Sequence, residues 1–85
     1  MDPDPDPDPL DVLAARDEYK RWRLWRGAGD GDRLVYAWLR NTSPPQLLRD
    51  YSVIGLRARM DEYLRVYDET GSMPDALAAA ERLET

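Results

Sequence analysis

The stretch Arg21-Trp22-Arg23-Leu24-Trp25-Arg26 is where residue type and spacing come closest to a chemical purpose. Guanidinium groups interleaved with indoles could follow a phosphate backbone while the rings stack on bases. The same residue types dominate protein-interface hot spots, where Trp, Tyr and Arg are enriched. A purely structural role also fits: rings in the core, with arginine heads reaching water along their own apolar stems. Arg16 and Lys20 extend the basic run, which is opposed only by Asp17 and Glu18. Arg16, Lys20, Arg21, Arg23, Trp25 and Arg26 are therefore the candidate partner-binding residues. On a helical wheel Trp22 belongs to the main apolar stripe and Trp25 sits at its edge, which makes Trp25 the better surface anchor.

Catalysis is hard to build from this composition. The 85 residues include no His and no Cys, so there is no imidazole base, no thiolate nucleophile and no thiolate or imidazole metal ligand. A nucleophile would have to be Ser43, Ser52 or Ser72, each of which reads as a helix cap. The pairs Asp17-Glu18, Asp61-Glu62 and Asp68-Glu69 are sequence neighbours, which point apart on a helix rather than flanking one bond. Asp30-Gly31-Asp32 has the opening spacing of a calcium loop but lacks the later ligands and the closing Glu. Gly27-Ala28-Gly29 is not a phosphate fingerprint, because no strand is expected before it and no Lys follows. The expectation is a non-enzymatic chain with no cofactor and no metal.

The formal net charge of −5 is unevenly placed. Asp-Pro repeats four times over residues 2–9 and supplies four negative charges; without it, 12 positive residues face 13 negative ones, about −1. Residues 61–85 hold seven acids against Arg65 and Arg82. The polarity is an acidic tail, a basic first element and an acidic last third, and a basic helix lying beside an acidic one would account for it. The Asp-Pro run excludes helix and sheet, since each Pro lacks an N–H and drives the preceding Asp to extended geometry. Residues 1–9 are thus expected to form an extended, disordered acidic tail, and residues 10–85 a single domain.

The periodicity predicts helices throughout that domain. Helix one is expected from Pro9–Leu10 to Arg26, with Val12, Ala15, Tyr19 and Trp22 as its stripe, ending in the glycines of residues 27–31. Helix two should cover Arg33–Arg40 with Asp32 as N-cap, carrying Leu34, Val35, Trp38 and Leu39. Helix three should cover Pro44–Tyr51, started by Ser43 with Gln46 completing a capping box. Helix four is expected over Val53–Glu69 under a Ser52 cap, with Val53, Leu56, Met60, Tyr63 and Tyr67 as a heptad-like seam. Gly71 suits its C′ position, and Ser72 with Asp75 starts an Ala-rich helix five, Met73–Glu84. The expected fold is all-α, a small bundle of four to five short helices.

The run Tyr63–Ala80, with its Thr70-Gly71-Ser72 turn between two helices, resembles the opening of helix-turn-helix domains in phage terminase small subunits and related regulators. In that family a recognition helix comes next; it would lie beyond Thr85, and no function is carried across. Arg-rich, Lys-poor usage suggests a GC-rich bacterial or phage genome. The primary functional expectation is a protein–protein interaction module, a small bacterial or phage regulator such as an adaptor, antitoxin-like protein or host-factor inhibitor. The alternatives are a nucleic-acid-binding regulator using the basic face of helix one, and a homo-oligomeric subunit self-associating through helix four. Apolar runs are too short to span a membrane, the N-terminus is neither a signal nor a transit peptide, and no membrane partner is implied, so a cytoplasmic setting is expected.

Overall fold

Within Trp22–Arg26, Val35–Leu39 and Gln46–Asp50 successive side chains take opposite sides of the chain, and these three segments form a sheet. The computed structural model describes residues 8–28, 33–40, 42 and 45–84. A short helix α1 (Pro9–Ala14) and a 3-10 turn (Asp17–Tyr19) lead into β1 (Trp22–Arg26), β2 (Val35–Leu39) and β3 (Gln46–Asp50). Two longer helices follow, α2 (Val53–Thr70) and α3 (Met73–Arg82). The strands form an antiparallel meander, β1-β2-β3. Trp22 faces Leu39, Leu24 faces Ala37 and Arg26 faces Val35; on the other side of β2, Val35 faces Asp50, Ala37 faces Leu48 and Leu39 faces Gln46.

The all-α bundle is thereby overturned: the chain is a mixed α/β fold in which helices pack on one face of a three-stranded sheet. Helix one stops at Ala14, and its expected stripe divides, with Val12 49% exposed while Tyr19 and Trp22 are buried in other elements. The expected helices two and three are β2 and β3. The physical reason is composition together with alternation. Trp22–Arg26 and Val35–Leu39 are rich in aromatic and branched residues, which fit a pleated surface, and Val35, Ala37 and Leu39 are buried while Tyr36 and Trp38 are half-buried. In sequence, residues 27–34 separate β1 from β2 and include three glycines. The proposed caps Asp32 and Ser43, and Pro44, lie outside the described residues, as do the Asp-Pro repeats of residues 1–7.

The last two elements follow the sequence expectation closely. Ser52 caps α2, its hydroxyl accepting from the Gly55 N–H at 2.9 Å. Gly71 ends α2 in the left-handed region at φ 66°, where a side chain would be strained. Ser72 then caps α3, accepting from Asp75 N–H at 3.3 Å. Pro9 begins α1, as expected, but its cap Asp8 belongs to the folded unit as well: its carboxylate accepts from Leu10 N–H at 2.9 Å.

The core lies between the sheet and the helices. Trp22, Val35, Ala37, Leu39 and Leu48 meet Leu10 and Leu13 of α1, Leu56, Met60 and Tyr63 of α2, and Ala76 and Ala80 of α3. Trp22 packs edge-on against Tyr63, centroids 5.2 Å apart. Two polar groups enter this layer with partners. Gln46 accepts from the Tyr63 hydroxyl at 3.4 Å, and the Tyr19 hydroxyl donates to Asp61. Leu56, Met60 and Tyr63, three members of the seam on which self-association through helix four was based, are at most 1% exposed within the chain's own core.

Candidate functional site

The sheet has a second face. Period-two alternation puts Arg23, Trp25, Tyr36, Trp38, Leu47 and Arg49 opposite the helices. Register arranges them in two rows: Arg23–Trp38–Leu47 and Trp25–Tyr36–Arg49. Trp25 and Tyr36 stack on each other, centroids 5.3 Å apart and planes 14° from parallel. Trp25, Tyr36 and Trp38 are half-buried, Arg23 and Arg49 are exposed, and Leu47 is 42% exposed. The contacts of α1, α2 and α3 account for the buried face, so no described helix covers this one. A half-buried aromatic centre, uncovered by any described helix, therefore lies between two arginines. Among the described residues Arg23 and Arg49 make no salt bridge, and no acid lies on this face.

The expected site residues divide accordingly. Arg23 and Trp25 belong to the open face. Arg26 points the other way and is held by Asp8, with Nη2 2.6 Å from one carboxylate oxygen and Nε 3.0 Å from the other. That pairing draws the Asp8 carboxyl down to about 2, with the Leu10 N–H adding to the effect, and raises Arg26. Arg16 pairs with Glu18 at 2.5 Å and leans over the Tyr19 ring. Lys20 pairs with Asp17 at 2.9 Å. Arg21 is exposed at the start of β1, where its carbonyl accepts from Arg40 N–H. No salt bridge among the described residues joins the Arg16–Arg26 window to the acids of the last third; three of those acids pair within α2, Glu62 and Glu69 with Arg65 and Asp61 with Arg57.

A basic face of helix one accordingly does not form: the arginines meant to line it occupy a turn and both faces of a strand. Tyr36, Trp38, Leu47 and Arg49 were missed as site residues. The signal that finds them is alternation, small or aliphatic inward and aromatic or basic outward, read across all three strands together.

Ser52 and Ser72 are engaged as helix caps, and no cluster of three metal-ligating side chains occurs among the described residues. Asp30, Asp32 and Ser43 lie outside them. No described helix is long and apolar enough to cross a membrane.

A second feature joins β3 to both long helices. Asp50, 8% exposed, accepts from Arg59 Nε at 2.8 Å and from Ser52 N–H at 3.0 Å. Arg59 also donates to the carbonyls of Ala80 and Glu81 at 2.7 and 3.0 Å, fastening the end of α3. This is a structural clamp. Beside it Tyr51 and Ile54 are 80% and 85% exposed. No family model, curated protein or solved structure matches the chain.

Proposed function

We propose that this chain is a non-enzymatic binding module that holds a cytoplasmic protein partner on the open face of its sheet. The observation that carries the reading is the aromatic row Trp25, Tyr36 and Trp38, left uncovered by the described helices and rimmed by Arg23 and Arg49. An apolar aromatic centre inside a polar rim is the anatomy of a protein interface, and these are the residue types that supply its hot spots. The rim is cationic and free of acids among the described residues, so the complementary partner presents an acidic, extended segment with an apolar anchor. Nucleic acid fits less well. The chain carries −5 overall, which opposes approach of a polyanion, and the Trp25 and Tyr36 rings already spend one face on each other.

The test is selection from a displayed library of random peptides against the full chain and against Trp25→Ala/Trp38→Ala. Ile54→Ser serves as a control on the other exposed apolar patch. Enriched acidic peptides that bind the wild type and Ile54→Ser but lose at least tenfold on the double variant support the reading. Peptides indifferent to Trp25 and Trp38 refute it. Oligo-dT is the parallel probe: salt-sensitive binding lost in the double variant would reassign the face to nucleic acid.

A further inference from the structure

We propose that two copies of this chain pair through the outer edges of β1, antiparallel about Leu24, to make one continuous sheet. Among the described residues β1 has a partner strand on one side only. The Gly27 N–H donates to the Leu34 carbonyl and the Arg40 N–H to the Arg21 carbonyl. Hydrogen-bonded positions recur every second residue in an antiparallel ladder, so Arg23 and Trp25 turn their backbone groups toward β2. Trp22, Leu24 and Arg26 turn theirs outward. Among the described residues no backbone hydrogen bond outside the ladder reaches these three. An edge of this kind is a template for another strand.

The sequence of this edge is self-complementary. Antiparallel pairing about Leu24 sets Leu24 against Leu24 of the second copy, with both N–H and C=O groups in register to exchange bonds. It sets Arg23 against Trp25 and Trp25 against Arg23 on the open face, a guanidinium beside an indole at each contact. Arg26 falls opposite Trp22 on the helix side, where Asp8 already neutralises it at 2.6 Å. The two arginines of each strand, the usual deterrent at an edge, thus meet either a ring or a carboxylate rather than each other. The β3 edge has no such match, since pairing about Leu48 would oppose Leu47 to Arg49. The proposal stands apart from the partner-binding reading, although pairing would join two aromatic faces into one.

Sedimentation velocity over a concentration series of the full chain should show mass rising from one copy to two. Leu24→Pro removes an N–H that points off the edge and leaves the β1–β2 bonds intact; it should remain a single copy at every concentration. The register is read separately. The native chain has no Cys, so an equal mixture of Arg23→Cys and Trp25→Cys places thiols across a non-hydrogen-bonded pair, at about 4.5 Å between Cα atoms, within reach of a disulfide. The mixture should cross-link to a heterodimer at least tenfold faster than either variant alone. Wild-type protein of single-copy mass throughout overturns the proposal, as does a dimer whose mixed cysteines show no preference. If Leu24→Pro does not fold by circular dichroism, the cross-linking ratio decides alone.

Discussion

Replacing Gly55 with Ala separates the local from the tertiary reading of α2, because the two give opposite signs. Gly55 lies in the first turn of α2. Helix propensity alone makes Ala more stable there, by up to about 1 kcal/mol. The structure says otherwise: an added Cβ would stand 2.1 Å from one Asp50 carboxylate oxygen, 2.5 Å from Cγ and 2.9 Å from the other oxygen. The carboxylate cannot yield cheaply, since Ser52 N–H holds one oxygen and Arg59 Nε the other. Displacing it strips Arg59, whose side chain is 17% exposed, of its counter-charge. Breaking a buried pair costs about 3–5 kcal/mol, and the partial exposure of Arg59 favours the lower end. Against the propensity gain, the net loss is about 2 kcal/mol, and at about 4–8 °C per kcal/mol the melting temperature falls by about 8–16 °C. Urea and thermal unfolding measure this directly. In an Asp50→Ala background the obstruction is gone, so Gly55→Ala should become neutral or stabilising. The coupling between the two positions should then be about 2–3 kcal/mol, above the usual ceiling for independent sites. A stabilising Gly55→Ala in the wild-type chain, or equal effects in both backgrounds, would refute the clamp.

Two further perturbations test other parts of the fold. Met60 is fully buried between α2 and the sheet, and Met60→Lys is expected to unfold the chain. An unpaired buried charge costs at least ~4 kcal/mol, against a total of about 4–13 kcal/mol at ~0.05–0.15 kcal/mol per residue. Loss of the circular-dichroism signal is the expected result, and a folded variant with altered self-association would restore the seam to the surface. The Asp8–Arg26 pair should show in the acid range. The Asp8 carboxyl lies at about 2 instead of 3.8, so its stabilising contribution is complete above the ordinary carboxylate value and is lost as pH falls toward 2. Titration of the side-chain carbon by NMR should give that midpoint, and Arg26→Gln should raise it toward the ordinary value; an unshifted wild-type Asp8 would contradict the pairing.

The parts of this fold readable in advance are those governed by nearest neighbours in the chain. Ser52 before α2, Gly71 after it and Ser72 before α3 act within three or four residues, so their chemistry is complete in the local sequence. Short segments of five residues are different. Val35-Tyr36-Ala37-Trp38-Leu39 can place its apolar residues on a helix arc or on one face of a strand, and its strand-favouring composition does not settle the choice alone. The choice comes from β1 and β3, which satisfy the backbone groups of β2 along both edges, and from α2 and α3, which cover one face only.

The candidate site divides along the same line. Arg23 and Trp25 could be singled out because basic and aromatic residues adjoin in the chain. Tyr36, Trp38, Leu47 and Arg49 join them along cross-strand rows, 11 to 24 residues away in the chain, a relation that exists only once the register is set. Composition and local sterics were enough for the lack of imidazole and thiol groups, the helix ends at Ser52, Gly71 and Ser72, and the charge asymmetry. That Arg26 is held by Asp8 while Arg23 lies exposed beside Trp38 follows only from the packed fold. In a strand, adjacent side chains point to opposite faces, and only the packing of the helices determines which face meets water.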